Sequence, residues 1–156
     1  MSDTVYLGNP NLKKANVKVE FTQENIEEFI KCKDNPVYFA KNYIKIVSLD
    51  EGLVNFDLYP FQEKLIKNFH NERFNICKMP RQTGKSTTVV SYLLHYAVFN
   101  DNVNIAILAN KASTARDLLG RLQLAYENLP SWMQQGVLVW NKGSPVSYTH
   151  LRAHET

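Results

Sequence analysis

The sequence FNICKMPRQTGKSTTVVSYLLHYAVF, residues 74–99, decides which fold this chain is expected to adopt. Residues 74–79 are a β-rich run, residues 80–84 are turn-forming, and from Lys85 onward apolar residues recur at helical spacing. A strand, a glycine-containing turn and a helix in this order form the context in which phosphate-binding loops occur. The stretch therefore predicts a nucleotide-binding loop between a strand and a helix.

The residues of this loop suit the chemistry of phosphate binding. Consecutive backbone N–H groups at a helix N-terminus bind phosphate oxygens, and Gly84 permits the turn that this requires. Lys85 supplies a positive charge for the β- and γ-phosphates, and the hydroxyl of Ser86 is placed to ligate Mg²⁺. Arg81 is a second cation, suited either to neutralise the γ-phosphate or to pair with a surface carboxylate. The predicted ligands are ATP and Mg²⁺.

The loop matches the pattern G-x-x-x-x-G-K-[ST] only in part, because Met79 stands at the position of the first glycine. Glycine is needed there only if the backbone φ is positive. We expect Met79 to end the strand with a negative φ, which would leave the loop intact. The alternative is a helix start that resembles such a loop by coincidence.

The sequence after residue 99 continues the alternation of strands and helices. Residues 103–109 are predicted as a strand, residues 113–129 as a helix and residues 136–140 as a last strand. This alternation predicts an α/β fold with a parallel sheet and flanking helices. At the end of the second strand, Lys111 is expected to approach nucleotide or DNA and Ser113 to cap the next helix.

Both helices of this region carry an apolar stripe that is expected to face the core. The stripes are Val89, Val90, Leu93, Leu94, Ala97 and Val98 on the first helix, and Leu118, Leu122, Ala125 and Leu129 on the second.

Residues 1–58 are predicted to form a smaller N-terminal region of helices and a hairpin. Thr22 is placed to cap a first helix and Pro36 to open a second. Asp50-Glu51-Gly52 lies between two β-rich runs and indicates a hairpin turn, and Pro60 opens a further helix.

The composition limits the class of protein. The chain has 156 residues, which is about one domain, and its net charge of +3 says little about binding to DNA. Its 2 cysteines are too few for a disulfide framework. No apolar run approaches the roughly 18 residues of a membrane span. We expect a soluble, intracellular protein with no membrane partner.

Four segments together resemble the large terminase subunit of T4-like tailed bacteriophages. They are NFDLYPFQEKLI (residues 55–66), RQTGKSTTVVSYLLHYAVFN (81–100), AILANKASTARDLLGRL (106–122) and LPSWMQQGVLVWNKGS (129–144). The resemblance implies an ATPase of the P-loop NTPase fold, the motor that packages double-stranded DNA into capsids. It further implies the phage portal and the small terminase subunit as partners, a homo-oligomeric ring, and action in the host cytoplasm on the procapsid.

The resemblance also implies roles for individual residues. Lys85 and Arg81 would be catalytic, Ser86 would ligate the metal, and Phe61 and Gln62 would contact the adenine. A side-chain amide can both donate to and accept from the adenine edge, whereas without the resemblance Gln62 is an ordinary exposed helix residue. The implied nucleotide-binding set is Phe61, Gln62, Arg81, Gln82, Thr83, Gly84, Lys85, Ser86 and Thr87.

ATP hydrolysis in this class also uses an Asp-Glu pair on a strand after the loop. The one candidate, Asp50-Glu51, precedes the loop and is interpreted as the hairpin turn. The chain is therefore expected to be a fragment without a nuclease part, in which residues 59–144 form a partial ATPase domain that is inactive alone. The ending PVSYTHLRAHET, residues 145–156, resembles a translated adapter sequence and is expected to be a non-native tail.

Two other functions remain open at this point. A helicase fragment related to the DEAD-box proteins would also pair an upstream glutamine with a phosphate loop. A non-catalytic nucleotide-binding or docking module would use the N-terminal helices to engage a partner.

Overall fold

The computed structural model describes residues 4–48, 50–137 and 139–140, together with the backbone of residues 151–152. These residues contain five helices and six short strands. In chain order the elements are β1 (Val5–Tyr6), β2 (Asn9–Lys13), α1 (Gln23–Asp34), α2 (Pro36–Tyr43), β3 (Lys45–Ser48), β4 (Gly52–Asn55), α3 (Pro60–Asn71), α4 (Lys85–Phe99), α5 (Ala112–Glu127), β5 (Gly136–Val137) and β6 (Leu151–Arg152).

The N-terminal helices begin where their capping residues predict. Thr22 accepts a hydrogen bond from the Asn25 N–H at 3.2 Å and caps α1. Pro36 is the first residue of α2, and Pro60 is the first residue of α3. Proline is tolerated at this position because its missing N–H has no helical partner to lose. These three helix starts are confirmed.

The core is built by helices packed on one another, and its centre is aromatic. Helix α4 packs against α2, α3 and α5. Phe39 of α2 is fully buried, with its ring centroid 5.4 Å from that of Phe99. Phe99 in turn meets Phe29 of α1 edge to face at 4.9 Å. Burial of a phenylalanine ring is worth about 1.5–3 kcal/mol, and these contacts hold the three helices α1, α2 and α4 around one centre.

The predicted α/β P-loop NTPase fold with a parallel sheet is wrong. The strands pair antiparallel in twos, as β1 with β2, β3 with β4 and β5 with β6. Among the described residues, the parallel pairing is an isolated bridge between Lys14 and Val137. The two runs that were expected to be parallel strands, residues 74–79 and 103–109, form no strand.

The physical reason lies in what the apolar helix faces contact. A parallel strand needs hydrogen-bonded neighbours and helices that cover both faces of its sheet. Here the helices cover one another, so the two runs are left at the surface. Ile76 is 100% exposed and Leu108 is 93% exposed. The third predicted strand, residues 136–140, pairs at a different place. Gly136–Val137 pairs with β6, and the Ala15 N–H donates to the Val137 carbonyl at 3.1 Å.

The apolar stripes of the two long helices are confirmed in part. In α4, four of the six predicted residues are buried, whereas Val89 and Leu93 are half-buried. This helix also buries the polar side chains of Thr88, Ser91 and His95, which the stripe did not include. In α5, the predicted residues Leu122 and Ala125 are buried and Leu118 is half-buried, while Leu129 is buried but lies after the end of the helix.

The predicted helix cap at Ser113 is wrong. Helix α5 begins at Ala112, its N-cap residue is Lys111, and no side chain caps its first turn. Ser113 lies inside the helix and is exposed. The Thr114 and Ala115 N–H groups both donate to the Lys111 carbonyl, at 3.1 and 3.2 Å, so the N-cap lies two residues before the predicted one.

The hairpin prediction is confirmed. Strands β3 and β4 pair from Lys45 with Asn55 to Ser48 with Gly52, and Gly52 has φ +74°. Asp50 and Glu51 lie exposed in the turn, as the hairpin interpretation requires.

The predicted division into residues 1–58, 59–144 and 145–156 stays a prediction. Of the last segment, the structure describes only the backbone of Leu151–Arg152, which pairs with Gly136–Val137. None of the helices in the described ranges is long and apolar enough to cross a membrane.

Candidate phosphate-binding loop

Two residues of the turn between residues 80 and 84 have a left-handed backbone conformation. Gln82 has φ +59° and Gly84 has φ +71°. Met79 is not among the described residues with positive φ, as expected, but it ends no strand, because residues 74–79 form none. A non-glycine residue at positive φ is strained, typically by about 1–3 kcal/mol, and such strain concentrates at functional sites.

Helix α4 starts at this turn without a capping side chain. Gly84 is the N-cap residue, no side chain caps the helix, and its first turn contains no acidic residue. The first N–H groups of a helix lack helical partners and form the positive end of the helix dipole. Lys85 in the first turn and exposed Arg81 in the preceding turn add positive charge at this positive end. Without a ligand, these positive charges repel one another, whereas a bound anion would be attracted to all of them.

The side chain of Lys85 lies back over the turn. Its Nζ atom donates to the Pro80 carbonyl at 3.1 Å, and Thr83 Oγ1 donates to the same carbonyl at 3.1 Å. Both bonds hold the turn closed. A phosphate oxygen would be a stronger partner for the ammonium than a neutral carbonyl, because its negative charge adds Coulomb attraction to the hydrogen bond.

Gln62 of α3 joins the predicted adenine-side segment to the loop. Its side chain is 2% exposed. The Oε1 atom accepts from the Tyr59 N–H at 2.9 Å, and the Nε2 atom donates to the Thr83 carbonyl at 3.3 Å. A Cβ atom on Gly84 would lie 2.5 Å from Gln62 Nε2, so glycine is required by this close approach as well as by its φ.

Two stacked aromatic rings lie beside Gln62 in the sequence. The rings of Tyr59 and Phe61 have centroids 5.8 Å apart and planes inclined by 6°. Tyr59 is 66% exposed and Phe61 45% exposed, so the pair offers ring surface to a base. Tyr59 was missed by the sequence reasoning. The signal was present, since it is an aromatic residue two positions before Phe61, with Pro60 between them.

The remaining predicted residues lie in the first turn of α4. Ser86 and Thr87 are half-buried there. Thr88, which was not predicted, is fully buried, and its Oγ1 donates to the Gly84 carbonyl at 3.0 Å. Within the described part of the chain, no group of three or more His, Cys, Asp or Glu side chains is arranged to hold a metal ion. Ser86 therefore stays the predicted Mg²⁺ ligand of this chain.

Replacing Gly84 by alanine is expected to destabilise the loop beyond the cost of strain. Alanine at positive φ costs about 1–2 kcal/mol, and the new Cβ would also displace Gln62 Nε2 from Thr83, with a further loss of about 1 kcal/mol. Gly52→Ala is the control, because Gly52 has φ +74° and nothing lies within 4 Å of its Cβ position. Urea unfolding of both variants measures the difference, and equal losses would contradict the contact with Gln62.

No protein-family model matches this sequence. The resemblance to the terminase large subunit therefore stays a prediction that depends on the four quoted segments.

Proposed function

We propose that this chain binds the triphosphate group of ATP at residues 80–87, where the turn opens helix α4. The observation that carries the proposal is the uncapped start of α4 behind the left-handed Gly84, with Lys85 folded over the turn. The N–H groups of this helix start would contact phosphate oxygens, and Lys85 would exchange the Pro80 carbonyl for them. Ser86 would complete the coordination of Mg²⁺ that accompanies the nucleotide.

The exposed pair Tyr59 and Phe61 supports a nucleotide as the ligand in preference to a simple anion. An aromatic face stacks on any base, and such contacts are worth about 1–3 kcal/mol per base. Gln62 links this segment to the phosphate loop through its bond to Thr83. The base would thus stack on the Tyr59 side while the phosphates bind at α4.

We further propose that the chain acts as the ATP-binding part of a phage DNA-packaging terminase. The support is the order of four sequence segments and the contact between two of them, which Gln62 and Thr83 provide. Double-stranded DNA, the portal and the small terminase subunit are the partners that this proposal implies. The proposal for the present polypeptide is binding, since hydrolysis in that class uses an Asp-Glu pair on a strand after the loop and the candidate pair of this sequence, Asp50-Glu51, precedes the loop.

Lys85→Ala tests the proposal. Losing a charge-assisted hydrogen bond worth about 1.5–3 kcal/mol should lower the affinity for Mg²⁺-ATP roughly 10- to 100-fold, as measured by isothermal titration calorimetry. Lys45→Ala is the control, because it removes the same charge from an exposed position on strand β3 to which no role in binding is assigned. We expect the control to change the affinity by less than about twofold.

Two results would contradict the proposal. One is the absence of ATP binding by the unaltered chain. The other is an equal loss in the Lys85 and Lys45 variants, which would indicate non-specific attraction of the triphosphate to positive charge.

A further inference from the structure

The side chain of Gln62 uses both ends of its amide inside the protein. The acceptor end is fixed by the Tyr59 N–H at the start of α3, at 2.9 Å. Helix α3 is itself anchored in the core by Ile66, which is fully buried. With the oxygen held, the Nε2 atom must face the loop, where it donates to the Thr83 carbonyl at 3.3 Å.

We propose that Gln62 is a positioning residue that holds the phosphate loop in the conformation that binds the triphosphate. This inference rests on the proposed function. It differs from the role of contacting adenine, because it requires Gln62 for binding phosphates that carry no base.

The geometry of the peptide bond explains how one contact sets the loop. A trans peptide is planar, and its C=O and N–H groups point in opposite directions. Because Gln62 holds the Thr83 carbonyl, the Gly84 N–H of the same peptide points away from Gln62. That N–H is one of the donors of a phosphate-binding turn. Without Gln62, the peptide between Thr83 and Gly84 would be able to rotate.

Gln62 lies directly against the backbone of Gly84. A Cβ atom at residue 84 would lie 2.5 Å from Gln62 Nε2, so a side chain there would have to push the amide away from Thr83. The amide therefore occupies the space that the missing Cβ leaves. Because Gln62 is 2% exposed, water does not compete for its bond to Thr83.

The test uses inorganic triphosphate with Mg²⁺ as the probe, with ATP in parallel, on the full chain and two variants. Gln62→Ala removes the contact with Thr83. Gln62→Glu keeps an acceptor for the Tyr59 N–H but presents a carboxylate oxygen to the Thr83 carbonyl. At neutral pH both variants should bind triphosphate about 5- to 10-fold more weakly than the unaltered chain.

A pH series separates positioning from a general loss of structure. Burial raises a carboxyl pKa above its usual value of about 4.3. As the pH falls toward about 5, the Gln62→Glu carboxyl gains a proton and can donate to Thr83. Its affinity, relative to the unaltered chain at the same pH, should recover, whereas that of Gln62→Ala should not. Hydrogen exchange without ligand should be faster in both variants at the Gly84 amide and unchanged at Leu94.

The outcomes distinguish this inference from the proposed function. If both variants bind triphosphate as the unaltered chain does and lose affinity only for ATP, Gln62 contacts the base, the inference is overturned, and the proposed function stands. Unchanged exchange at Gly84 in both variants would also overturn the inference. If the unaltered chain binds neither ligand, the proposed function and the inference fail together.

Discussion

Replacing Phe39 by alanine is expected to lower the free energy of unfolding by about 3–5 kcal/mol. Phe39 is fully buried, and its ring lies 5.5 Å from that of His95 and 5.4 Å from that of Phe99. Alanine would leave a cavity between α2 and α4, and the surrounding side chains would fill it only in part. Urea unfolding monitored by far-ultraviolet circular dichroism measures the loss.

Phe74→Ala is the matched control for this substitution. Phe74 is 82% exposed, in one of the runs that was expected to be a buried strand. The same change there should alter stability by less than about 0.5 kcal/mol. A loss comparable to that of Phe39→Ala would mean that residues 74–79 are buried, and would contradict the fold described above.

Acid is expected to destabilise the protein through His95. The pKa of this imidazole is lowered from 6.5 to about 4, chiefly by burial and in part by nearby His70, while hydrogen bonds to backbone carbonyls oppose the shift. The Nε2 atom lies 2.9 Å from the Cys32 carbonyl, which can only accept, so Nε2 carries the proton and the buried Nδ1 has no partner. The folded state therefore keeps this side chain neutral.

The sign of the pH effect follows from the lowered pKa. Between pH 6.5 and about 4 the unfolded chain binds a proton that the folded protein does not, so stability falls as the pH falls through this window. A shift of this size corresponds to about 3 kcal/mol, with the full stability present above the unfolded pKa. Denaturant unfolding as a function of pH measures it. Glu28, whose pKa is lowered by its hydrogen bond from Tyr38, contributes only at the acid end.

Two histidine variants test whether His95 causes this loss of stability at low pH. His95→Gln should remove most of the slope above about pH 4.5, because glutamine does not titrate and its amide can still donate to the Cys32 carbonyl. His70→Gln, at an exposed position, should keep the slope. A slope that persists in the His95 variant would show that another group binds the proton.

The helices of this protein were predictable because their signals are local. Thr22, Pro36 and Pro60 mark helix starts through contacts within a few residues of chain, and these starts are confirmed. The hairpin around Gly52 was predictable for the same reason, since two β-rich runs flank a residue that takes positive φ. Helix α4 begins at Lys85, as its periodicity indicated.

The sheet was not predictable because pairing is not local. The runs at residues 74–79 and 103–109 have the residue types of buried strands, but a strand forms only where another strand offers hydrogen bonds. In this structure α4 already buries its apolar face against α2, α3 and α5. Ile76 and Leu108 consequently stay at the surface.

The loop region shows the same division between local and distant signals. The pattern around Gly84 indicated a turn that opens a helix, and the structure has this turn, with Gly84 in the left-handed conformation. The burial of Gln62 was not indicated, since by periodicity it was an ordinary helix residue. Its position depends on a contact across 21 residues of sequence, with Thr83. The stacking of Tyr59 on Phe61 likewise became evident only from the geometry.

The central claim is that the turn before α4 and the first turn of that helix bind the phosphates of ATP. The most direct measurement is the change in backbone amide chemical shifts when Mg²⁺-ATP is added to the ¹⁵N-labelled chain. We predict the largest shifts at Gly84, Lys85 and Ser86, reproduced by inorganic triphosphate and lost in Lys85→Ala. Shifts that spare these three amides, or that persist unchanged in the Lys85 variant, would contradict the claim.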